Sequence, residues 1–345
     1  MSAVVGDRYG GPEVLERREV PVPSPSSAGV LIEVAASSLN ALDWHFLTGT
    51  PYLVRIVNGV RRPKRTIHGA DVAGTVVAVG PDVTRHRVGD RVFGETGGGG
   101  CSAYLATSED VVARIPDGVS FDDAAATGVA GLTAIQGLVT HGAVQPGEHV
   151  LINGAAGGVG TFAVQIAKAL GATVTAVCST GNVAMVSDLG ADEVVDYRTA
   201  DFTDGGRRFD LMFDGVGSRT PAENISVLNP GARYVAISGP KSNPWLDPMR
   251  YVARMALAAK RNGIGFHQFT ASPNHEDLVR LGELLADGSI VPAIDLVITL
   301  DEVPDGLAQI GGGHTPAKIV VHPRFAGEAG EAGDADDADG EDGSR

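Results

Sequence analysis

A glycine-rich run between two apolar stretches is the part of this sequence best suited to chemistry. VLINGAAGGVGTFAVQIAKALGA, residues 150–172, begins with Val150, Leu151 and Ile152, the composition of a buried parallel strand. A turn runs from Gly154 to Gly160, and apolar periodicity from Phe162 to Leu170 predicts a helix stopped by Gly171. Strand, glycine turn and helix in that order build a pyrophosphate site, because a helix N-terminus presents unpaired N–H groups and a partial positive charge. Ala155 stands where the first glycine of G-x-G-x-x-G is usual. Gly157 lets the backbone approach phosphates, Gly158 and Val159 complete the cofactor-binding turn, and Gly160 lets the helix pack close to the strand. Thr173 to Val177 reads as a second strand, completing a β-α-β unit. A dinucleotide is the ligand this unit fits. About twenty residues past the fingerprint an NAD site places a carboxylate for the ribose 2′-hydroxyl. This chain has Cys178-Ser179-Thr180-Gly181-Asn182 there, with donors on Ser179, Thr180 and Asn182 and no carboxylate to repel a 2′-phosphate. NADPH is the expected cofactor, with Tyr197 and Arg198 closing the pocket from the next strand.

The rest of the chain must position that unit. At 345 residues, 43% hydrophobic, it is long enough for two domains with ample core. Residues 1–37 are β-rich and punctuated by prolines, with Val30 to Val34 the clearest strand. Asp71 to Asp90 reads as a strand, a Gly-Pro-Asp turn and a return, and Arg91 to Phe93, Tyr104 to Ala106 and Val111 to Ile115 add short strands. A compact β-domain of barrel type is predicted up to about Phe121. Asp122 to His141 is alanine-rich and helical. Strands at Phe209 to Phe213, Tyr234 to Ile237 and Val297 to Leu300 then alternate with helices at Thr220 to Leu228 and Asp277 to Asp287, before a last strand at Ala317 to Val321.

Charge and composition exclude several classes. The net charge is −15, and residues 326–345 carry eight acids and one arginine, so the tail is expected to be disordered. That balance argues against nucleic-acid binding. Cys101 and Cys178 are too few for a disulfide framework or a four-cysteine zinc site. No signal peptide is visible and no apolar run reaches the roughly 18 residues of a membrane span, so stable membrane insertion is not expected and the cytoplasm is the default compartment.

An ordered set of motifs carries a family resemblance: YGGPEVL (9–15), SSLNALDWH (37–45), GADVAGTVVAVG (69–80), VGDRVFG (88–94), GLTAIQGL (131–138), the 150–172 stretch, GADEVVDY (190–197) and FDLMFDGVG (209–217). The chain resembles the zinc-independent medium-chain dehydrogenases/reductases, in the quinone oxidoreductase branch with its bacterial NAD(P)-dependent alcohol dehydrogenase-like and reticulon-interacting members. The resemblance implies an α/β fold: a GroES-like β-barrel catalytic domain from 1–121 and 292–325, a Rossmann-type doubly wound parallel sheet from 122–291, and the acidic tail from 326 to 345. Departures are informative. Asn40 and Ala70 stand where zinc enzymes of the superfamily have cysteine and histidine, and His68 lies two residues from the histidine position. No metal is therefore expected, since zinc needs at least three protein ligands. The usual Asn-Pro pair is Asn40-Ala41, Gly181 replaces a common arginine, and His-Ala-Arg-Gly-Lys becomes His314-Thr315-Pro316-Ala317-Lys318.

Without zinc, hydride must go to an acceptor that is already electron-poor: a quinone, an α,β-unsaturated ketone or an activated aldehyde. The resemblance places the donors between Asn40 and Tyr52. Asn40 has an amide to face a carbonyl oxygen, or it caps a turn. Tyr52 donates a proton to the enolate or hydroquinone, or it packs at a domain edge. Asp43 orients its neighbours. Thr133, Gly217 and Ser238 are expected beside the nicotinamide, and Lys318 at the ribose or nicotinamide or on the surface. The segment 244–261 is aromatic and basic, open to readings as a lid, a dimer face, a membrane-surface helix or an ordinary amphipathic helix. The expected activity is an NADPH-dependent oxidoreductase acting on a small-molecule electron acceptor. The alternative is an NADPH-binding, redox-responsive partner protein with little turnover. A homodimer is compatible with either.

Overall fold

In a computed structural model, residues 1–239 and 247–323 are described, and they form two large sheets and a two-stranded one pairing Ser2–Val5 with Glu16–Glu19. Six strands make a wholly parallel sheet in the order Glu193–Asp196, Thr173–Cys178, His149–Asn153, Phe209–Asp214, Leu228–Ala236 and Gly265–Gln268. Its central strands are apolar because helices lie against them. The strand order reverses between His149–Asn153 and Phe209–Asp214, the kind of crevice where doubly wound sheets bind nucleotides. The other sheet is mixed and runs Ile294–Thr299, Lys318–His322, Gly29–Leu39, Asp71–Val79, Arg91–Glu95 and Val112–Arg114. Gly29–Leu39 is its spine. Its first half also pairs with Tyr104–Ser108, and its end pairs with Lys318–His322. Strands from both ends of the sequence thus share one sheet, with the nucleotide sheet inserted between them. This is a GroES-like domain joined to a Rossmann-type domain.

The alanine-rich helix Phe121–Ile135 lies between the two large sheets and packs against strands of the mixed one, the fingerprint helix and helix His275–Ala286. Ala124, Ala125, Ala126, Ala130 and Ala134 are all buried, and such small side chains allow close approach on every side. One core cluster consequently runs from Ala36, Ala73 and Phe93 through Ile135 to Val150 and Phe162. The chain continues past Ile135 in a widened turn to His141, within the span predicted as helical.

Several elements differ from the sequence expectation. The fingerprint helix is Gly158–Ala169 and starts inside the glycine run, where no side chains reveal a period. The return expected before Asp90 is loop until Arg91, because the Glu109 carboxylate accepts the backbone N–H groups of Thr84 and Arg85 that a strand would use. Helices Ala41–Thr48 and Val54–Asn58 were not foreseen; the first buries Asp43 with Phe46 and Leu47, and a buried acid obscures an apolar period. Helix Asp247–Arg261 buries Tyr251, Met255 and Ala259 against Phe209, Met212 and Tyr234, as an ordinary amphipathic helix does. The start of the 244–261 segment and the acidic tail lie outside the described residues.

Candidate active site

The nucleotide side begins where His149–Asn153 ends. Gly154 turns the chain at φ +87°, and Gly157 caps the helix with extended backbone and no side-chain cap, leaving the first-turn N–H groups free of side-chain partners. A Cβ at Gly160 would lie 2.2 Å from the Gly154 carbonyl oxygen, so only glycine allows this turn. Ala155 is fully buried and fills the place of the first glycine. The floor of the turn is braced by Asp214. Its Oδ1 accepts Asn153 Nδ2 (2.9 Å) and the N–H groups of Val216 (2.9 Å) and Gly217 (3.0 Å), and its Oδ2 accepts the Tyr234 hydroxyl. Burial first, then the Asp214 charge, pushes the Tyr234 hydroxyl pKa upward, so Tyr234 stays a donor. Gly217 and half-buried Ser238 follow the ends of neighbouring strands on this edge. Thr133 is half-buried, and its hydroxyl donates to the Val129 carbonyl at 2.7 Å. An uncapped helix N-terminus behind a glycine turn, at the reversal of strand order, fits a dinucleotide.

At the far end Asn182 Nδ2 donates to Ser179 Oγ (3.1 Å), and the Thr180 hydroxyl donates to Asp196 Oδ2 at 2.6 Å. Asp196 brings a carboxylate to the 178–182 stretch, where the sequence has none: it ends the strand beside Cys178, brought there by sheet pairing rather than sequence proximity. The Thr180 hydroxyl and the Arg198 N–H hold its carboxyl below the usual range, so it is charged at neutral pH. Tyr197 is exposed, with the Arg198 guanidinium 5.9 Å from its ring centre.

The acceptor side centres on a buried cation. Lys318 is 2% exposed; its Nζ donates to Asn40 Oδ1 and, at 3.1 Å, to Asp71 Oδ2. Asp71, fully buried, also accepts Asn40 Nδ2 (2.9 Å) and the Ser38 hydroxyl (2.6 Å) on Oδ2, and the Val129 N–H (2.7 Å) on Oδ1. A Cβ at Gly128 would stand 2.3 Å from Asp71 Oδ1, so glycine lets the helix reach the carboxylate. Asn40 Nδ2 lies 3.3 Å from the Ser38 carbonyl as well, so both amide hydrogens point inward. Asp43 accepts the N–H groups of Asn40 and Gly69, each at 2.9 Å, which ties the helix start to the strand carrying Asp71. Burial, then the Asp71 charge, pushes Asp43 up to about 7. Glu95 is paired in register with Asp71, its Oε2 has no partner, and burial followed by the charges of Asp71 and Asp43 pushes it up to about 8. His68 is buried and lowered to about 4 by desolvation, and burial drives the Cys101 thiol upward. Among the described residues no group of three or more His, Cys, Asp or Glu is arranged to hold a metal.

The two sides meet at Ala317. Its N–H donates to the Ala156 carbonyl (2.8 Å), it bridges Gly157, and its φ of +52° is left-handed. A Cβ at Gly158 would be 3.0 Å from Lys318 Cδ, so the lysine stem runs past the fingerprint turn. The structure therefore brings Asn40, Asp43 and Lys318 together and sets them against Gly157 and Gly158. Tyr52 stands apart on the connection between two short helices, half-buried, with the Arg55 guanidinium 4.8 Å from its ring centre and 4.5 Å from that of Tyr9. Sequence reasoning assigned no role to Asp71, Glu95, Ser38 or Asp214. Asp71 was legible in GADVAG, since an acid between apolar strand residues needs a partner; the Lys318 that supplies it is 247 positions away.

Comparison with known proteins agrees with this geometry. Residues 26–151 match an alcohol dehydrogenase GroES-like domain and residues 189–321 a zinc-binding dehydrogenase domain. The chain is 33% identical to the chloroplastic quinone-oxidoreductase QR1 of Triphysaria versicolor, over 94% of this chain and 98% of that protein. It is 30% identical to an NADPH-dependent alkenal/one oxidoreductase of Arabidopsis thaliana, over 94% of this chain and 80% of that protein. The quinone oxidoreductase structure from Coxiella burnetii superposes with a TM-score of 0.82 at 29% identity, covering 94% of this chain and 99% of that one. The chain belongs to the medium-chain dehydrogenase/reductase family, in its quinone oxidoreductase-like branch. It is an oxidoreductase of a family that uses a nicotinamide cofactor and a small-molecule substrate.

Proposed function

We propose that this protein is a zinc-independent, NADPH-dependent reductase of quinones, α,β-unsaturated ketones or activated aldehydes. The observation that carries this reading is the Lys318 ammonium held between Asn40 Oδ1 and Asp71 Oδ2. A lysine already neutralises the carboxylate and occupies the amide oxygen, and Ala70 offers no ligand atom, so this donor set does not fit a zinc ion. The acceptor must then spread developing negative charge by its own conjugation. When bound, the nicotinamide supplies the hydride. The chain's part is to hold and exclude. Gly158, Val159 and Gly160 present backbone N–H groups to the pyrophosphate, and Gly157 lets the backbone approach it. Thr133, Gly217 and Ser238 line the nicotinamide end, and Ser179, Thr180, Asn182 and Tyr197 receive the ribose 2′ group. Lys318 and Asp43 position Asn40, and Asn40 shapes the pocket wall rather than donating from its amide. Tyr52 supplies the proton from its hydroxyl. Asp196 opposes a 2′-phosphate, so the preference for NADPH over NADH is modest, about tenfold in kcat/KM.

Steady-state NADPH oxidation with a panel of quinones, enones and aldehydes tests the reading, with turnover unaffected by chelators and no stoichiometric zinc in elemental analysis. Tight NADPH binding without oxidation by any acceptor would favour the redox-responsive partner instead.

A further inference from the structure

Residues 44–70 hold five of the chain's 27 lysines and arginines and none of its 42 acids, in a molecule of net charge −15. The outer part of this stretch, residues 53–65, also exposes its aliphatic side chains: Leu53 49%, Ile56 70%, Val57 69% and Val60 72%. Arg61, Arg62, Lys64 and Arg65 stand exposed beside them, and the first three make no ion pair among the described residues. This platform is built rather than loose. Buried Asn58 donates to the Phe46 carbonyl and accepts the Arg65 N–H, the Tyr9 hydroxyl donates to the Gly59 carbonyl at 2.6 Å, and Arg55 lies over the rings of Tyr9 and Tyr52. The base is therefore fixed, while the apolar tips and the cations face outward.

Four aliphatic side chains bordered by unpaired cations gain twice at one kind of surface. The apolar tips leave water at the acyl boundary, and the cations meet anionic headgroups. The molecule as a whole is acidic and is repelled by such a surface, so a basic face must make the approach. The acidic tail complements the cations but has no bulky apolar residue after Phe325 to cover Ile56, Val57 and Val60. We propose that residues 53–65 dock the protein peripherally on an anionic lipid bilayer. No helix among the described residues is long and apolar enough to cross one, so the contact is a surface contact. The inference stands whatever the electron acceptor is.

Sedimentation of the full chain with vesicles tests it, comparing phosphatidylcholine alone with phosphatidylcholine mixed with phosphatidylglycerol. Partition onto the mixed vesicles should exceed that onto the neutral ones by about tenfold or more at low ionic strength and fall as salt is added. Ile56→Ser/Val57→Ser/Val60→Ser and, separately, Arg61→Glu/Arg62→Glu/Lys64→Glu should each lower partition by about tenfold or more, with the melting temperature unchanged. Equal partition onto both vesicles, no partition onto anionic vesicles at low salt, or indifference to both variants would overturn the proposal. So would binding that appears only when the eight tail acids are replaced by their amides, which would make the tail the occupant. Self-association without lipid that the serine variant disperses would assign the patch to a second copy of the chain.

Discussion

Tyr52 and Asn40 lie on one short stretch of chain but in different surroundings. Asn40 is locked: lysine can only donate to its Oδ1, and Asp71 can only accept from its Nδ2, which fixes the orientation of the amide. Tyr52 has its ring face against Arg55, and its phenol is a group that can give up a proton. Tyr52→Phe should lower kcat on an enone by about tenfold to a hundredfold with little change in NADPH affinity, because its hydroxyl acts only in the transition state. An unchanged kcat across pH would return Tyr52 to packing. Asp196 is the residue that opposes the proposed cofactor choice. Asp196→Asn keeps an acceptor for Thr180 while removing the charge, and it should raise the NADPH-to-NADH ratio of kcat/KM by about tenfold, with NADH turnover nearly unchanged. Equal changes for both cofactors would mean that Asp196 only holds the Thr180 turn. Ala317 sits at φ +52°, a left-handed conformation that favours glycine. Ala317→Gly should relieve the left-handed strain and raise stability by up to about 1 kcal/mol, read from a urea midpoint.

The helix Phe121–Ile135 is the element on which both sheets depend. Its Val129 N–H and Ala125 carbonyl meet Asp71 and Ser38, so a polar contact sits inside an otherwise apolar interface. Gly128→Ala would put a methyl group 2.3 Å from Asp71 Oδ1 and force helix and strand apart. A loss of about 2–3 kcal/mol in unfolding free energy is expected, together with weaker acceptor turnover; a neutral melting temperature would mean the contact is looser than it looks. Elements with strong patterns were legible. The alanine run, the fingerprint unit and the strands Phe209–Asp214 and Thr173–Cys178 were placed to within a few residues because apolar period and glycine stops coincide there. The early start of Gly158–Ala169 and the helix Ala41–Thr48 were not, since glycines carry no pattern and a buried Asp43 breaks one. The candidate site was legible on its nucleotide side, where neighbours in sequence are neighbours in space. Its acceptor side was only partly so, because the Asp71–Glu95 register and the Lys318 contact are made by sheet topology.

The molecule as a whole carries buried acids and buried histidines whose pH effects oppose one another. Glu95 and Asp43 are raised to about 8 and 7, so the folded state holds their protons more tightly than the unfolded chain; that stability is full below the ordinary carboxyl range and is lost as pH rises toward those values. His68 is lowered to about 4, so its contribution is full above about 6.5 and is lost as pH falls toward 4. Stability should therefore peak in mildly acid solution. Glu95→Gln should remove about 2–3 kcal/mol of the decline between pH 6 and 8, measured by denaturant unfolding at both values. A parallel decline in the variant would mean that other groups set the slope. The Ala317–Gly157 bridge has a different kind of consequence. The ribosome makes the nucleotide sheet, Asn40, Asp71 and Glu95 well before Lys318, so for most of its synthesis the growing chain owns the acids and lacks their cation. The nucleotide sheet can assemble on schedule, but the pocket beside it waits for nearly the last strand, and a nascent chain interrupted before residue 318 is left with a half-built site.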